Sequence, residues 1–168
     1  MLAELLLFSG LLGGPEVAPI VSAPGPETQR VVAINLASGN LHDRPRDAEM
    51  LLRDLNLARA SNGLTPLAME PRLCELAREH ALDMVTHRFF GHASSDGASP
   101  FERMHRAGYQ YRAAGENLAL DIDEPSAHAL LWRSNEHRAN MLEPQFAHVG
   151  IAAVETANGE IFVEDFSD

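Results

Sequence analysis

Lysine is absent from the 168 residues and cysteine occurs once, which closes several routes to a functional site. Cys74 alone cannot form an intrachain disulfide or supply a Cys-pair zinc motif, so any metal has to be held by histidine and carboxylate. All 13 basic residues are arginine, against 24 acids, for a formal charge of −11. This balance argues against nucleic acid or an anionic membrane as the partner, because phosphate neutralisation needs a basic face. Long apolar runs are missing as well: Leu5 to Leu12 falls short of the roughly 20 residues that span a bilayer, so no transmembrane segment is expected. Neither His-Glu-x-x-His nor its reversed form occurs, since Arg133 stands three residues before Glu136 where the reversed form needs histidine. No Gly-x-Ser-x-Gly elbow, phosphate-cradling glycine loop or internal repeat is present either.

What remains is 45% apolar and 22% charged, the composition of one soluble domain with a tail. A domain of roughly 120 to 150 residues buries enough surface to fold without a disulfide or a metal staple. At the N-terminus, the run Leu5 to Leu12, a Gly/Pro-rich stretch and the small-residue spacing of Val21-Ser22-Ala23 resemble a signal peptide. Glu4 sits where such peptides carry positive charge, which leaves a disordered or docked tail as the alternative. Pro15 to Pro45, with one apolar patch at Val31 to Leu36, has the composition of a linker. The expected organisation is a signal-like or disordered segment and linker over 1–46 and a folded domain over 47–168.

Within that domain a helix is expected to open at Asp47 as N-cap, with Met50, Leu51, Leu55 and Ala58 on one stripe, and to end at Gly63. Pro71 suits the first turn of a second helix that turns Leu73, Leu76, Ala77, His80 and Met84 to one face. Ser99-Pro100-Phe101-Glu102 is a capping box, opening a helix that stops at Gly108. Pro125 starts a fourth, with Ala127, Leu130, Leu131 and Ser134 on one face, and Pro144 closes the segment. Alternation from Val149 to Ala153 and from Ile161 to Phe166, joined by a type I′ turn at Asn158-Gly159, predicts a C-terminal β-hairpin. Helices followed by antiparallel strands without a βαβ rhythm indicate an α+β domain whose sheet is covered by helices. After Arg138 come six acids and no base (Glu143, Glu155, Glu160, Glu164, Asp165, Asp168), which reads as a solvated acidic edge.

Eight histidines are many for this length. His80 and His87 fall on the inner side of the second helix, where a packing role is the default; His42, His105 and His128 have no evident partner. His92 follows Phe89-Phe90-Gly91 at a helix exit, where an imidazole can project into a cleft. His137 closes Ser134-Asn135-Glu136-His137 after Trp132, beside a carboxylate. Trp132 itself reads as a core anchor, and Cys74 as a small buried residue whose acidic neighbours Glu75 and Glu79 raise a thiol pKa.

Nine short motifs then follow one another in a familiar order: Asn56-Leu57-Ala58-Arg59, Gly63-Leu64-x-Pro66-Leu67, His80-x-x-Asp83-Met84, Phe89-Phe90-Gly91-His92, Ser99-Pro100-Phe101-x-Arg103, Gly108-Tyr109, Gly115-Glu116-Asn117-Leu118-Ala119, Trp132-x-Ser134-x-x-His137-Arg138-x-Asn140-Met141-Leu142 and Val149-Gly150-Ile151. In this the chain resembles bacterial members of the CAP superfamily, the SCP-like extracellular proteins related to plant PR-1, insect venom allergen 5 and mammalian cysteine-rich secretory proteins. The resemblance covers residues 47–168. It implies a three-layer α-β-α sandwich around a central antiparallel sheet, with a cleft where two His and two Glu converge.

By the same resemblance His92, Glu116 and His137 match the first His, the first Glu and the second His. Two imidazoles and a carboxylate suit Zn²⁺ with an open position. For the fourth member, many relatives place a Glu where this chain has Asn135; the adjacent Glu136 is rotated 100° if the stretch is helical and does not simply inherit the role. Alternatively, Glu116 accepts hydrogen bonds from backbone N–H groups or from His92 and locks the loops with no metal. The expected function is a secreted or cell-envelope binding module, extracellular or periplasmic. Its cleft would take a small apolar molecule, a peptide or a cell-wall fragment. The other readings are a metal-dependent hydrolase with Glu116 as general base and a non-catalytic interaction domain. The oligomeric state is left open.

Overall fold

The computed structural model describes residues 42–168. The expected signal-like segment and the apolar patch Val31 to Leu36 lie outside the described residues. Along the chain the elements are β1 (His42–Asp43), α1 (Pro45–Ser61), β2 (Ala68–Met69), α2 (Pro71–His87), α3 (Pro100–Arg106), β3 (Ala114–Asp121), α4 (Glu124–Arg133), α5 (Asn135–Met141), β4 (His148–Thr156) and β5 (Gly159–Ser167). β1 and the first residues of α1 fall inside the stretch expected as linker. The sheet order is β1-β4-β5-β3, antiparallel throughout, and the short β2 joins β4 in parallel.

Helices cover both faces, so every long strand buries both sets of alternating side chains. Leu51 and Leu55 of α1, Ala127 and Leu131 of α4 and Met141 of α5 pack on Val149, Ile151 and Ala153 of β4 and Phe162 and Phe166 of β5. The opposite faces of the same strands, with Ala152, Val154, Ile161 and Val163, meet Ala77, Ala81, Met84 and Val85 of α2. Leu73 and Leu76 of α2 continue this second layer to Met104 of α3 and Ala114 of β3. The result is the α-β-α sandwich.

Two contacts set the spacing. Gly150 of β4 lies directly under α2, and a Cβ there would fall inside van der Waals contact of the Leu73 and Cys74 backbone. Arg59, fully buried, donates to the carbonyls of Thr65, Met141, Glu143 and Phe146, which pins the loop after α1 and the loop after α5 to α1.

Several local expectations are corrected. α1 begins at Pro45 after Arg44, with no side-chain cap; Asp47 lies inside the first turn, because Pro45 takes the first helical position where its missing N–H is not needed. Gly63, at φ 72°, does end α1. His87 is exposed at the last residue of α2 and pairs with Asp83 at 2.7 Å, since the covered face of the helix stops a turn earlier. Leu130 is exposed as well. The hairpin is present, but its two-residue loop is Ala157-Asn158 and Gly159 alone takes positive φ (124°), so the turn is not type I′. The capping box is formed in full: Ser99 accepts from the Glu102 N–H, and Glu102 accepts from the Ser99 N–H at 2.7 Å.

These features predict two different costs. Ser99→Ala removes one cap and is expected to lower stability by about 1 kcal/mol in urea unfolding. Gly150→Ala forces α2 off the sheet and is expected to cost about 3 kcal/mol. Equal midpoints for the two variants would contradict the close approach at Gly150.

Candidate functional site

The acids near the C-terminus show first what two covered faces do. Glu164 and Asp165 are both buried in β5, and none of the six is fully open to solvent, so the expected acidic edge does not exist. Consecutive strand residues point to opposite faces: Asp165 enters the α2/α3 layer beside its cross-strand partner Glu116, and Glu164 enters the α4/α5 layer beside Asn117.

Glu116 is the centre of the first of these clusters. Its carboxylate is buried, with Oε1 accepting from Nδ1 of His92 at 2.7 Å and Oε2 bonded to the Arg103 guanidinium. Burial alone would raise its pKa, but the charge of Arg103 and the hydrogen bond from His92 hold it below the usual carboxylate range. Asp165 behaves oppositely: burial, and then the Glu116 charge, push its pKa well up, which favours the neutral acid. One arginine and one ionised carboxylate are thus balanced in a dry site, as buried charges require.

Arg103 reaches this point because the Ser99 box fixes the start of α3. From there it also donates to the carbonyl of His92 at 2.7 Å and to Ser94 Oγ at 3.1 Å. The loop carrying His92 is further held by Ser95, whose N–H and hydroxyl both bond Asp83 of α2. His80 donates from Nε2 to the Gly91 carbonyl at 2.9 Å, and burial lowers its pKa, so the neutral ring serves as a strut.

On the other side, Asn117 donates to Glu164 Oε2 at 2.9 Å and to the His137 carbonyl at 3.1 Å. Asn140 donates to Asn117 Oδ1 and to the Glu116 carbonyl. These bonds clamp α5 to β3. Because β3 is an edge strand, the loop after α2 and the start of α5 come together across its free edge. There His137 sits half-buried with Nδ1 lacking a partner, its pKa lowered by burial and then by the charge of nearby His92.

His92, Glu116 and His137 are therefore gathered in one region. Asn135 and Glu136 are not: both are exposed, bonded to Arg138 and to Ser134 of their own segment. Ser134 is extended and caps α5, so the stretch after Trp132 is a break between two helices rather than a continuation of one. Among the described residues no three His, Cys, Asp or Glu side chains stand as a ligand set. Glu116 has both oxygens engaged, one by the Nδ1–H of His92 and the other by the Arg103 guanidinium.

One concavity lies elsewhere. A groove of about 540 Å³ runs between α1 and α4, lined by Asp54, Leu57, Ala58, Ser61, Asn62, His128, Ala129 and Trp132. None of the five residues expected in a cleft lines it. Trp132 packs one side on the core and turns the other to this groove, stacking on His128 at 6.5 Å with the Arg138 guanidinium 5.9 Å from its ring.

A sandwich of this topology, with a buried Glu joining the loop after α2 to α3, defines a class. The model of the cysteine-rich secretory protein family, CAP, matches residues 52–166, and the chain belongs to that family. It is 37% identical over 112 residues to the uncharacterized protein YkwD of Bacillus subtilis, covering 66% of this chain and 43% of that protein. It is also 30% identical over 106 residues to the uncharacterized membrane protein YlbC of the same organism, covering 62% of this chain and 31% of that one. The chain thus spans less than half the length of these curated relatives. Among solved structures it is similar to an outer surface protein of Borrelia burgdorferi (TM-score 0.70, 22% identity, 76% of this chain and 97% of that one). It is also similar to an extracellular protein containing an SCP domain from Bacillus anthracis (TM-score 0.66, 24% identity, 73% and 40%). The family name notwithstanding, this member has one cysteine and holds its layers together by packing and buried polar bonds.

Three residues of the cluster carry roles that the sequence reading did not assign. Arg103 and Asn140 stood in the quoted motifs without a function, and Asp165 was counted with the solvated acids. The signal for Asp165 was available, since an acid inside an apolar strand of a sheet covered on both faces has no route to water.

A pH dependence follows from Glu164, whose pKa is pushed up to about 7 by burial, partly opposed by the Asn117 hydrogen bond. With an unfolded value of about 4.3, its contribution is fully present below that pH and is lost as pH rises through 7. Asp165 acts with the same sign, and Glu116 with the opposite sign below the usual carboxylate range. Glu164→Gln keeps an acceptor for Asn117. It is expected to match wild type in urea at pH 5 and to exceed it at pH 8; an unchanged difference between the two pH values would exclude an ionisable Glu164 as the cause.

Proposed function

We propose that this chain is an extracellular or cell-envelope binding module that takes a small apolar molecule in the groove between α1 and α4. The observation that carries the reading is the groove itself: Leu57, Ala58, Ala129 and Trp132 present apolar surface in one concavity, and Leu57 is 60% exposed. Concave apolar surface with a few polar atoms at its margin is the usual form of a small-molecule site. Extracellular placement is supported by the words used for the relatives of known structure, an extracellular protein and an outer surface protein. No helix among the described residues is long and apolar enough to cross a membrane. A hydrolase reading gains less support, because Glu116, the expected general base, is buried and bonded on both oxygens.

Trp132 is the only tryptophan, so its fluorescence reports on the groove directly. Titration with dodecanol below its solubility limit is expected to give a saturable change in Trp132 emission. Ala58→Phe, which narrows the groove, is expected to weaken it at least about tenfold, or about 1.4 kcal/mol. A response that is linear in probe, or insensitive to Ala58→Phe, would remove the groove as the site.

A second reading is favoured by one observation, the unpartnered buried Nδ1 of His137 beside a His92 ring oriented by a carboxylate. These two imidazoles would hold a divalent ion such as Zn²⁺, which polarises bound water or a carbonyl when present. Calorimetry at neutral pH is expected to show one saturable Zn²⁺ site that His92→Ala or His137→Ala abolishes and Glu136→Gln leaves unchanged. No saturable heat in the wild type would leave the cluster as a structural lock between the loops.

A further inference from the structure

The α1/α4 groove leaves apolar surface of Leu57, Ala58, Ala129 and Trp132 open, with Leu57 60% exposed in the interior of α1. Contiguous apolar surface of this kind marks a place that something covers. The chain carries a matching run a few residues ahead of α1, Val31-Val32-Ala33-Ile34-Asn35-Leu36. From Val31 to Leu41 there is no acid and no arginine, in a chain with 24 acids and 13 arginines, so the run can lie on apolar surface without taking a charge out of water. Val32, Ile34 and Leu36 alternate, so an extended backbone turns three aliphatic side chains to one side. Its reach fits as well. The described chain opens at His42, and Arg44 leads directly into α1 at Pro45. The start of α1 lies near the start of α4, because the charge of Asp47 acts on the Glu124 carboxyl, so the chain arrives at one end of the helix pair that forms the groove. The nearest lining residue on α1, Asp54, stands about 14 Å along that helix from Pro45. Ala37 to Leu41, extended, span about 20 Å between Leu36 and His42.

We propose that Val31 to Leu36 docks in the α1/α4 groove of its own chain and is displaced when an apolar ligand enters. The inference rests on the groove being the binding site and adds its regulation. A tether whose length matches the span holds the attached run at an effective concentration on the order of millimolar, an advantage that a second copy or a free peptide lacks. A ligand then meets an open groove only in the fraction of molecules whose run is undocked, and its affinity falls by that fraction. Cleavage after Ala23, at the small-residue spacing that resembles a signal-peptide site, would leave the run and its tether on the chain.

Ile34→Asp in the full chain puts a charge in the middle of the run and tests the docking through Trp132. Acrylamide quenching of Trp132 is expected to rise in this variant, because the ring loses its cover. The dissociation constant for dodecanol is expected to fall about tenfold, the factor for a run docked nine-tenths of the time. Ser38→Asp carries the same charge in the tether and is expected to match wild type in both readings. Unchanged quenching and unchanged dodecanol affinity in Ile34→Asp would overturn the docking while a saturable dodecanol response keeps the groove as a binding site. If dodecanol saturates in neither protein, the ligand reading of the groove falls, and the displacement with it. Sedimentation velocity identifies whose groove is filled: a wild type that is dimeric beside a monomeric Ile34→Asp would assign the run to a second copy and overturn docking within the chain.

Discussion

A single ionised carboxylate with no access to water organises one half of this molecule. Glu116 lies in the interior of β3, and a buried charge without partners would shift its pKa and lose its ion. Its requirements are met by Arg103 from α3 and His92 from the loop after α2, beside Asp165 of β5, whose pKa burial pushes well up. Each partner has to be delivered from a different part of the chain, so local features far from Glu116 become conditions for the site. The Ser99 cap aims Arg103, the Asp83–Ser95 bonds shape the His92 loop, and antiparallel register places Asp165 across the ladder. Removing any one partner leaves another buried group uncompensated, which is why such clusters break at higher cost than their net worth.

The same sheet carries the second polar system on its other face. Asn117, Asn140 and Glu164 tie α5 to the edge strand, and Arg59 ties the end of α5 and the loop after it to α1. The two systems are one residue apart along β3 and β5, separated only by the thickness of the sheet. This arrangement explains how His92 and His137, which belong to opposite layers, come near each other: among the described residues β3 is the last strand of the sheet.

The α1/α4 groove and the polar cluster are distinct places among the described residues. The His92–Glu116–Arg103 cluster is tightly bonded and largely filled, whereas the α1/α4 groove is open and apolar with an acidic end. A family fold that supports many sites does not decide which of them is used.

The motifs from Asn56 to Ile151 and the periodicity of the helices were enough to name the family, the layer order and the residues His92, Glu116 and His137. The Ser99 capping box and the ends at Gly63 and Gly108 were legible because they depend on neighbours within a few residues. The burial of Glu164 and Asp165, the role of Arg103, and the exclusion of Asn135 and Glu136 were not. They depend on which faces of the sheet are covered and on a break at Ser134 that local propensity does not mark. Sequence by itself determined the elements and the residues available for chemistry, because backbone preference and side-chain periodicity are local. Tertiary structure alone decided which carboxyls are charged, which is neutral and which is left unpaired, because desolvation and Coulomb coupling depend on distances between segments far apart in the chain.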